Sequence, residues 1–231
     1  MAMHFLSTVF FVLVVLAWSS KSEESRRCYG FDNLAGPLAK VRSINSTNIG
    51  YFEGCEIVEG NMLFLTYAFK GDIYTHTPPM NTSQLQALSS IKVITGFLYI
   101  NAWAENVTNF SAFKSLEKIE GRTLFRNIAA IVMQGVYANN GPHYLQQIES
   151  LGFASLKSID NGNVYIGQMQ NLCYDKTVDW QSVLKNPIHR STFTKGLLLR
   201  RNKPKHLCNL DFACSECSTR YCWAPGPDFC M

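Results

Sequence analysis

The sequence has little charge for its length. Charged residues make up 16% of its 231 residues, hydrophobic residues make up 47%, and the formal net charge is +4. This composition excludes an intrinsically disordered chain, a coiled coil and a strongly basic nucleic-acid-binding protein. We expect one medium-sized globular core with a small appendage.

Signatures of catalysis and cofactor binding are also missing from the sequence. It contains no nucleophile elbow, no glycine-rich phosphate loop and no pair of histidines at metal-binding spacing. We therefore predict a protein that is not an enzyme, holds no cofactor or metal, and acts by binding.

Only one long apolar run is present, from Phe5 to Trp18, and it is shorter than the ~20 residues that a membrane-spanning helix needs. Small residues and then charged residues follow it, which is typical of a cleaved signal peptide. We expect a signal peptide over residues 1–22 and a secreted, extracellular chain with no membrane span of its own. The alternative is a short, uncleaved anchor.

The cysteines and the glycosylation sequons fit an exported protein. Eight cysteines behind an apolar leader indicate an oxidising compartment in which thiols pair. Five of them lie between Cys208 and Cys230, which predicts a separate disulfide knot; a zinc site there is disfavoured, because the spacing is irregular and no second paired cluster exists. Four sequons predict glycosylation, at Asn45, Asn81, Asn106 and Asn109.

A loose repeat runs through the body of the chain: two apolar residues three apart, then glycine, then a short apolar strand. The strands are predicted at Leu63 and Leu65, at Leu98 and Ile100, at Leu124, and at Val164 and Ile166, each after one of Gly60, Gly96, Gly121 and Gly162. The uneven spacing excludes a uniform leucine-rich repeat and favours a β-solenoid with loops. Alternation along a strand buries the apolar rows and leaves polar or aromatic residues on the outer face as candidates for binding.

Four stretches make the sequence similar to a known family. They are Ala68-Phe-Lys-Gly-Asp-Ile-Tyr-Thr-His-Thr-Pro-Pro79, Ile94-Thr-Gly-Phe-Leu-Tyr-Ile-Asn-Ala-Trp103, Asn171-Leu-Cys-Tyr174 and Cys222-Trp-Ala-Pro-Gly-Pro227. The chain resembles, from about Cys28 to Cys230, the third extracellular domain of the epidermal growth factor receptor family. The resemblance implies a mainly β fold: a right-handed β-helix, or solenoid, forming a leucine-rich-like receptor L domain over 28–208, and the disulfide-knotted opening of a furin-like cysteine-rich module over 209–231.

The same resemblance implies four disulfides that cap the ends of the solenoid and close the knot. They are Cys28 with Cys55, Cys173 with Cys208, Cys214 with Cys222, and Cys217 with Cys230. Each of the first two is worth about 3 to 4 kcal/mol by loop entropy.

The resemblance also implies a surface for growth factors of the epidermal growth factor (EGF) type. Asp72 matches a carboxylate that pairs with a ligand arginine. Tyr74 replaces an aromatic residue, and Asn101 replaces a glutamine that bonds to ligand backbone. The other implied contacts are apolar positions at Leu65 and Tyr67, and a pocket for a ligand leucine at Tyr99, Val132 and Tyr165.

Three functions follow as alternatives. The first is a secreted, truncated receptor that binds EGF-type ligands, associates with full-length receptors and modulates receptor tyrosine kinase signalling, for example as a decoy. The second is a structural or adhesive glycoprotein without growth factor binding, favoured by the enlarged tyrosines in the pocket and by a long segment between Leu124 and Glu149. The third is a partial product of a receptor gene. The basic tail from Arg200 to His206 is interpreted as a solvated face and not as a heparin site.

Overall fold

The computed structural model describes residues 25–135, 144–210 and 213–231, so the predicted signal peptide lies outside the described residues. The described chain is mainly β, with strands of two to six residues and very little helix. None of its helices has the length and hydrophobicity of a membrane span. The strands are β1 (Arg27–Tyr29), β2 (Ile57–Glu59), β3 (Met62–Phe64), β4 (Val93–Ile94), β5 (Leu98–Ile100), β6 (Lys118–Ile119), β7 (Ala129–Gln134), β8 (Ser158–Asn161), β9 (Asn163–Gly167), β10 (Leu184–Asn186) and β11 (Leu197–Arg200).

The strands form two parallel sheets. One sheet has six strands in the order β1-β2-β4-β6-β8-β10, and the other has five in the order β3-β5-β7-β9-β11. Every pairing between these strands is parallel. From β2 to β11, successive strands therefore alternate between the two sheets, and neighbours within a sheet come from successive repeats.

Glycines stand at the corners between the two sheets. Gly60, Gly121 and Gly162 have positive φ values of 120°, 63° and 91°, which residues other than glycine adopt only with strain. A Cβ atom on Gly121 would lie 2.2 Å from the backbone oxygen of Asn161. The corner therefore demands glycine for its conformation and for its space.

The repeat predicts the strands after Gly96 and Gly162 correctly, and it is wrong by one residue after Gly60. The buried positions there are Met62 and Phe64, while Leu63 is only half-buried on the outer face. The reason is the corner geometry: the first inward side chain comes two residues after the glycine, as Leu98 does after Gly96.

The third copy is also wrong, because Leu124 does not lie in a strand. Strand β7 begins at Ala129, and an excursion of the chain, 122–128, precedes it. Of the longer segment predicted between Leu124 and Glu149, residues 136–143 lie outside the described residues.

One buried asparagine connects its own repeat to three others. The Nδ2 atom of Asn61 donates to Asp32 at 2.7 Å, and its Oδ1 atom accepts from the Phe97 amide at 2.9 Å and from the Thr123 hydroxyl at 2.5 Å. The side chain is 1% exposed. Because a buried amide without partners is costly, these bonds hold the corners in register.

Short helices form the remaining side of the body. The first three 3-10 helices contact one another in order, and they bury Phe52, Leu88 and Phe113 against the strands. The α-helices are α1 (Thr66–Lys70) and α2 (Trp180–Val183); the 3-10 helices are Ile49–Phe52, Thr82–Leu88, Ser111–Phe113, Tyr174–Lys176, Lys205–Leu207 and Pro227–Phe229.

Four disulfides close the ends of the described chain, in the pairs that the family resemblance implies. They are Cys28–Cys55, Cys173–Cys208, Cys214–Cys222 and Cys217–Cys230. No cysteine is free, so the zinc alternative lacks the thiolates that it would need.

The C-terminal segment buries one tryptophan in the main core, where Phe229 and Met231 also pack, and Cys222 exchanges two hydrogen bonds with Thr177. Cys214, Cys217 and Cys222 form a small cluster of their own, but Trp223 is 1% exposed and belongs to the core of the body. Its ring packs edge-on against Phe153 at 5.6 Å.

Candidate protein-binding face

The outer face of the five-stranded sheet carries a continuous row of apolar side chains. Strand pairing aligns one residue from each strand at the same level, and alternation directs all five away from the core, because their neighbours on each strand face inward. We call these residues the outer row: Leu63, Tyr99, Val132, Tyr165 and Leu198.

An aromatic residue from the 122–128 excursion covers part of the outer row. Phe125 stacks on Tyr99 with ring centroids 4.8 Å apart and planes 19° apart, and the Arg126 guanidinium lies 5.5 Å from the Phe125 ring. Phe125 also contacts Phe97 edge-on at 5.8 Å. Burial raises the pKa of the Tyr99 hydroxyl. The part of the outer row around Tyr99 is therefore partly shielded from water.

The middle of the outer row has almost no free surface. Val132 is 3% exposed between the two tyrosines, whereas Tyr99 and Tyr165 are half-buried. The surface that a partner meets here is therefore tyrosine, with Val132 supporting it. Asn101 lies above the row, and its Nδ2 atom donates to the Gln134 carbonyl at 3.0 Å, which uses one of its two amide hydrogens.

Asp72 organises a small hairpin beyond β3. Backbone hydrogen bonds of 2.8 and 2.9 Å pair it with Thr77 in both directions. Its Oδ1 atom accepts from the Tyr74 amide and its Oδ2 atom from the Thr75 hydroxyl, each at 2.9 Å. These two hydrogen bonds lower the pKa of the Asp72 carboxyl. Asp72 is thus a turn residue, and each of its oxygens still has a lone pair for a ligand donor.

The hairpin presents large apolar side chains to solvent. Tyr74 is 89% exposed, Ile73 is 81% exposed, and Tyr67 on α1 is 54% exposed. Exposed apolar groups close together in sequence on an ordered turn are typical of contact surfaces. Leu65 is half-buried and connects β3 to α1.

The predicted contact residues thus fall into two groups that β3 links. Tyr99, Val132 and Tyr165 share the outer row. Asn101 joins this row to β3, since its backbone N–H donates to the Phe64 carbonyl at 2.8 Å. The other group follows β3 directly: Leu65, Tyr67, Asp72 and Tyr74.

Sequence reasoning missed several residues of this face. Leu63 and Leu198 are found only once the strand register is known, although alternation counted from the corner glycine would have placed Leu63 outward. Ile73 lies between two predicted contacts but is not itself predicted as one. Nothing in the local sequence indicates that Phe125 stacks on Tyr99.

The sequon asparagines differ in exposure. Asn81 and Asn106 are exposed, whereas Asn45 and Asn109 are half-buried. The Oδ1 atom of Asn81 accepts from the Ser83 amide at 3.0 Å and caps a 3-10 helix.

Comparison with known proteins agrees with this architecture. The model of the family described as "Receptor L domain" matches residues 54–184. Human receptor tyrosine-protein kinase erbB-4 is 33% identical over 198 residues, which cover 85% of this chain and 14% of that protein. The chicken epidermal growth factor receptor is 35% identical over 209 residues, covering 90% of this chain and 27% of the receptor.

A third relative is mouse receptor tyrosine-protein kinase erbB-2, 33% identical over 208 residues, which cover 88% of this chain and 15% of that protein. The chain therefore spans less than a third of the length of each of these three relatives. The matched region of this chain contains the receptor L domain.

Proposed function

The chain belongs to the receptor L domain family and is homologous to the epidermal growth factor receptors, and from this premise we propose that it binds growth factors of the EGF type. The single observation that carries the proposal is the outer row, because it assembles a continuous apolar face from residues far apart in sequence. Apolar and aromatic side chains at the centre of such a face supply most of the binding energy in protein interfaces.

The Asp72 hairpin adds a charged contact to that face. Its carboxylate is ionised at neutral pH, since its pKa is lowered. A ligand arginine can form charge-assisted hydrogen bonds to the remaining lone pairs while Tyr74 and Ile73 pack beside it. We propose Asp72 as the contact that orients the ligand. The other proposed ligand contacts are Tyr99, Tyr165, Tyr74, Leu65, Tyr67 and Asn101.

The proposed role is that of a secreted, non-enzymatic ectodomain that modulates receptor signalling, either by sequestering ligand or by associating with full-length receptors. Oxidised cysteines throughout the described chain support an extracellular location.

We further propose a division into a receptor L domain over 28–208 and a furin-like module over 209–231, and a right-handed β-helix for the body. Alternation of the strands between two parallel sheets supports the β-helix, and right-handed connections are the rule between parallel strands. The separate cluster of buried cysteines supports the division.

A titration of the purified, glycosylated chain against a panel of EGF-type growth factors tests the function. We expect one or more of them to bind, and Asp72→Ala to weaken binding by about 1.5 to 3 kcal/mol, the usual cost of losing a charge-assisted hydrogen bond. Lys118→Ala, on the other sheet, is the control. The proposal fails if no growth factor binds at high micromolar concentration, or if the control weakens binding as much as Asp72→Ala does.

One observation favours the second function, a glycoprotein that associates with receptors without growth factor binding. Phe125 already stacks on Tyr99, so part of the surface that would receive a ligand side chain is occupied. Phe125→Ala distinguishes the two functions. If the outer row receives a ligand only when Phe125 moves, the variant binds growth factor more tightly; if the chain lacks this activity, neither form binds and a cell-surface receptor is recovered by cross-linking instead.

A further inference from the structure

Four basic residues on or beside strands β1 to β8 of the six-stranded sheet form ion pairs with carboxylates of neighbouring repeats. Nitrogen-to-oxygen distances of 2.6, 2.8, 3.4 and 4.0 Å join a cation and a carboxylate in four such pairs. They are Arg27–Glu59, Lys92–Glu56, Lys118–Asp160 and Lys157–Glu117. The charges of these four cations are therefore balanced locally.

The terminal repeat is different, because its exposed cations form no ion pair with the acidic residues that the structure describes. Residues 181–210 contain no aspartate or glutamate, although the whole chain has 17 acidic residues. Within this segment, six exposed cations make no ion pair with any described residue. We call them the basic edge: Lys185, Arg190, Lys195, Arg200, Arg201 and Lys205.

The basic edge lies where both sheets end. Strands β10 and β11 are the last strands of their sheets, so no further described strand covers their outer sides. Lys185 lies on β10 and Arg200 on β11, while Arg190 and Lys195 lie on the loop between them. Asn163 fixes that loop, because its side chain exchanges hydrogen bonds of 2.8 and 2.9 Å with the backbone of Ile188. The cations are thus mounted on ordered backbone.

Protection of an open edge strand explains only part of this pattern. Lysine and arginine on an edge strand discourage pairing with other chains, and half-buried leucines on β11 make such protection useful. That role accounts for Arg200 on β11 and Lys185 on β10. It does not account for Lys205, which lies on a later 3-10 helix, or for a complete lack of acidic residues over the segment.

From the sequence alone, the tail from Arg200 to His206 is interpreted as a solvated face only; on the arrangement of the whole terminal repeat, we propose instead that the basic edge binds a sulfated polysaccharide. A series of exposed cations without ion pairs along one end of the molecule complements a linear polyanion, which such a charge cluster attracts over a long range. The proposal rests on the extracellular location proposed above, where sulfated chains are the abundant polyanions, and it does not depend on growth factor binding. A membrane surface fits less well, because these cations do not lie on one amphipathic helix.

Heparin titration at several salt concentrations tests the proposal. We expect the wild-type chain to bind heparin at about 0.15 M NaCl, with an affinity that falls steeply as salt rises. The variant Arg200→Gln/Arg201→Asn/Lys205→Gln is expected to bind roughly tenfold more weakly or worse, and to have a salt slope smaller by about 2 to 3, since each lost contact removes about one released counterion. Asparagine is chosen at Arg201 because φ there is 56°.

The matched control is Arg27→Gln/Lys118→Gln/Lys157→Gln, which removes the same charge from paired positions and is expected to change heparin affinity less than twofold. Hyaluronan, which lacks sulfate, and vesicles containing phosphatidylserine are the comparison ligands, and both are expected to bind far more weakly than heparin. The proposal is overturned if the wild-type chain does not bind heparin at this salt, if the control loses as much affinity, or if the vesicles bind as tightly. Growth factor titrations contain no polysaccharide, so the two proposals fail separately.

Discussion

Removing the Trp223 side chain is expected to loosen the contact between the C-terminal segment and the body without opening the disulfides of the segment. Trp223 lies edge-on to Phe153 at 5.6 Å and to Trp180 at 5.5 Å, and it is 1% exposed. Its backbone oxygen accepts hydrogen bonds from the amides of Leu151 and Gly152, at 3.2 and 3.1 Å. This one residue therefore makes both apolar and backbone contacts with the body.

The expected cost of Trp223→Ala is about 3 to 5 kcal/mol, which is typical for a fully buried tryptophan. The two edge-to-face ring pairs account for about 1 to 3 kcal/mol of it, at about 0.5 to 1.5 each. The Cys214–Cys222 and Cys217–Cys230 bonds lie outside the lost contacts and stay closed. The segment is therefore expected to remain folded locally while its contact with the body weakens.

Urea unfolding and amide hydrogen exchange together measure this. In Trp223→Ala, the amides of Leu151 and Gly152 are expected to lose protection much more than the amides of the five-stranded sheet do. Tyr221→Ala is the control: Tyr221 is 44% exposed, and its loss is expected to cost less than about 1 kcal/mol. A loss below 1 kcal/mol in Trp223→Ala, or unchanged protection of the two amides, would refute the reasoning.

Three further predictions concern the hairpin, a corner and a sequon. The Asp72 carboxyl is expected to titrate with a pKa below the ordinary value of about 3.9. Its hydrogen bonds therefore stabilise the hairpin above the ordinary pKa, and this stabilisation is lost as pH falls through the lowered pKa. In Thr75→Val the titration midpoint of the Asp72 carboxyl, followed by carbon-13 NMR, should rise, and an unchanged midpoint would contradict the assigned cause. Gly121→Ala is expected to lower the free energy of unfolding in urea by roughly 2 kcal/mol or more, because of the positive φ and the steric overlap at this position. Gly50→Ala is the control and should be nearly neutral, because a Cβ atom there meets open space. Equal losses in the two variants would contradict the argument that the corner requires glycine. Asn109 is half-buried against Gly152 and is expected to remain without a glycan. Enzymatic deglycosylation in oxygen-18 water followed by peptide mass spectrometry tests this, since Asn109 should then carry no oxygen-18 label.

The sequence predicts the mainly β character and several strand positions because both depend on local patterns. Glycine followed two residues later by an apolar residue describes the corners at Gly96 and Gly162, and the strands lie there. The same rule applied to Gly60 gives Met62, but a preference for leucines shifts the prediction by one residue. In β structure a shift of one residue exchanges the buried and the outer faces.

The candidate site is less predictable because its geometry is set by contacts distant in sequence. Tyr99, Val132 and Tyr165 were assigned through family resemblance, whereas the strand register is what aligns them in one row. The stacking of Phe125 on Tyr99 depends on where the 122–128 excursion crosses the sheet, and no local pattern specifies that crossing. The two hydrogen bonds to Asp72 could have been expected, since aspartate commonly accepts from amides and hydroxyls two or three residues ahead.

The geometry of the face limits the affinity that the proposed function can reach. A second linked surface raises affinity by a factor of about 10² to 10⁴, because its binding becomes intramolecular. The outer row and the Asp72 hairpin together form one such surface. Sequestration of ligand by this surface therefore requires abundant protein or self-association. Attachment to a polysaccharide through the basic edge would supply the first requirement, because it concentrates the chain where such ligands are released.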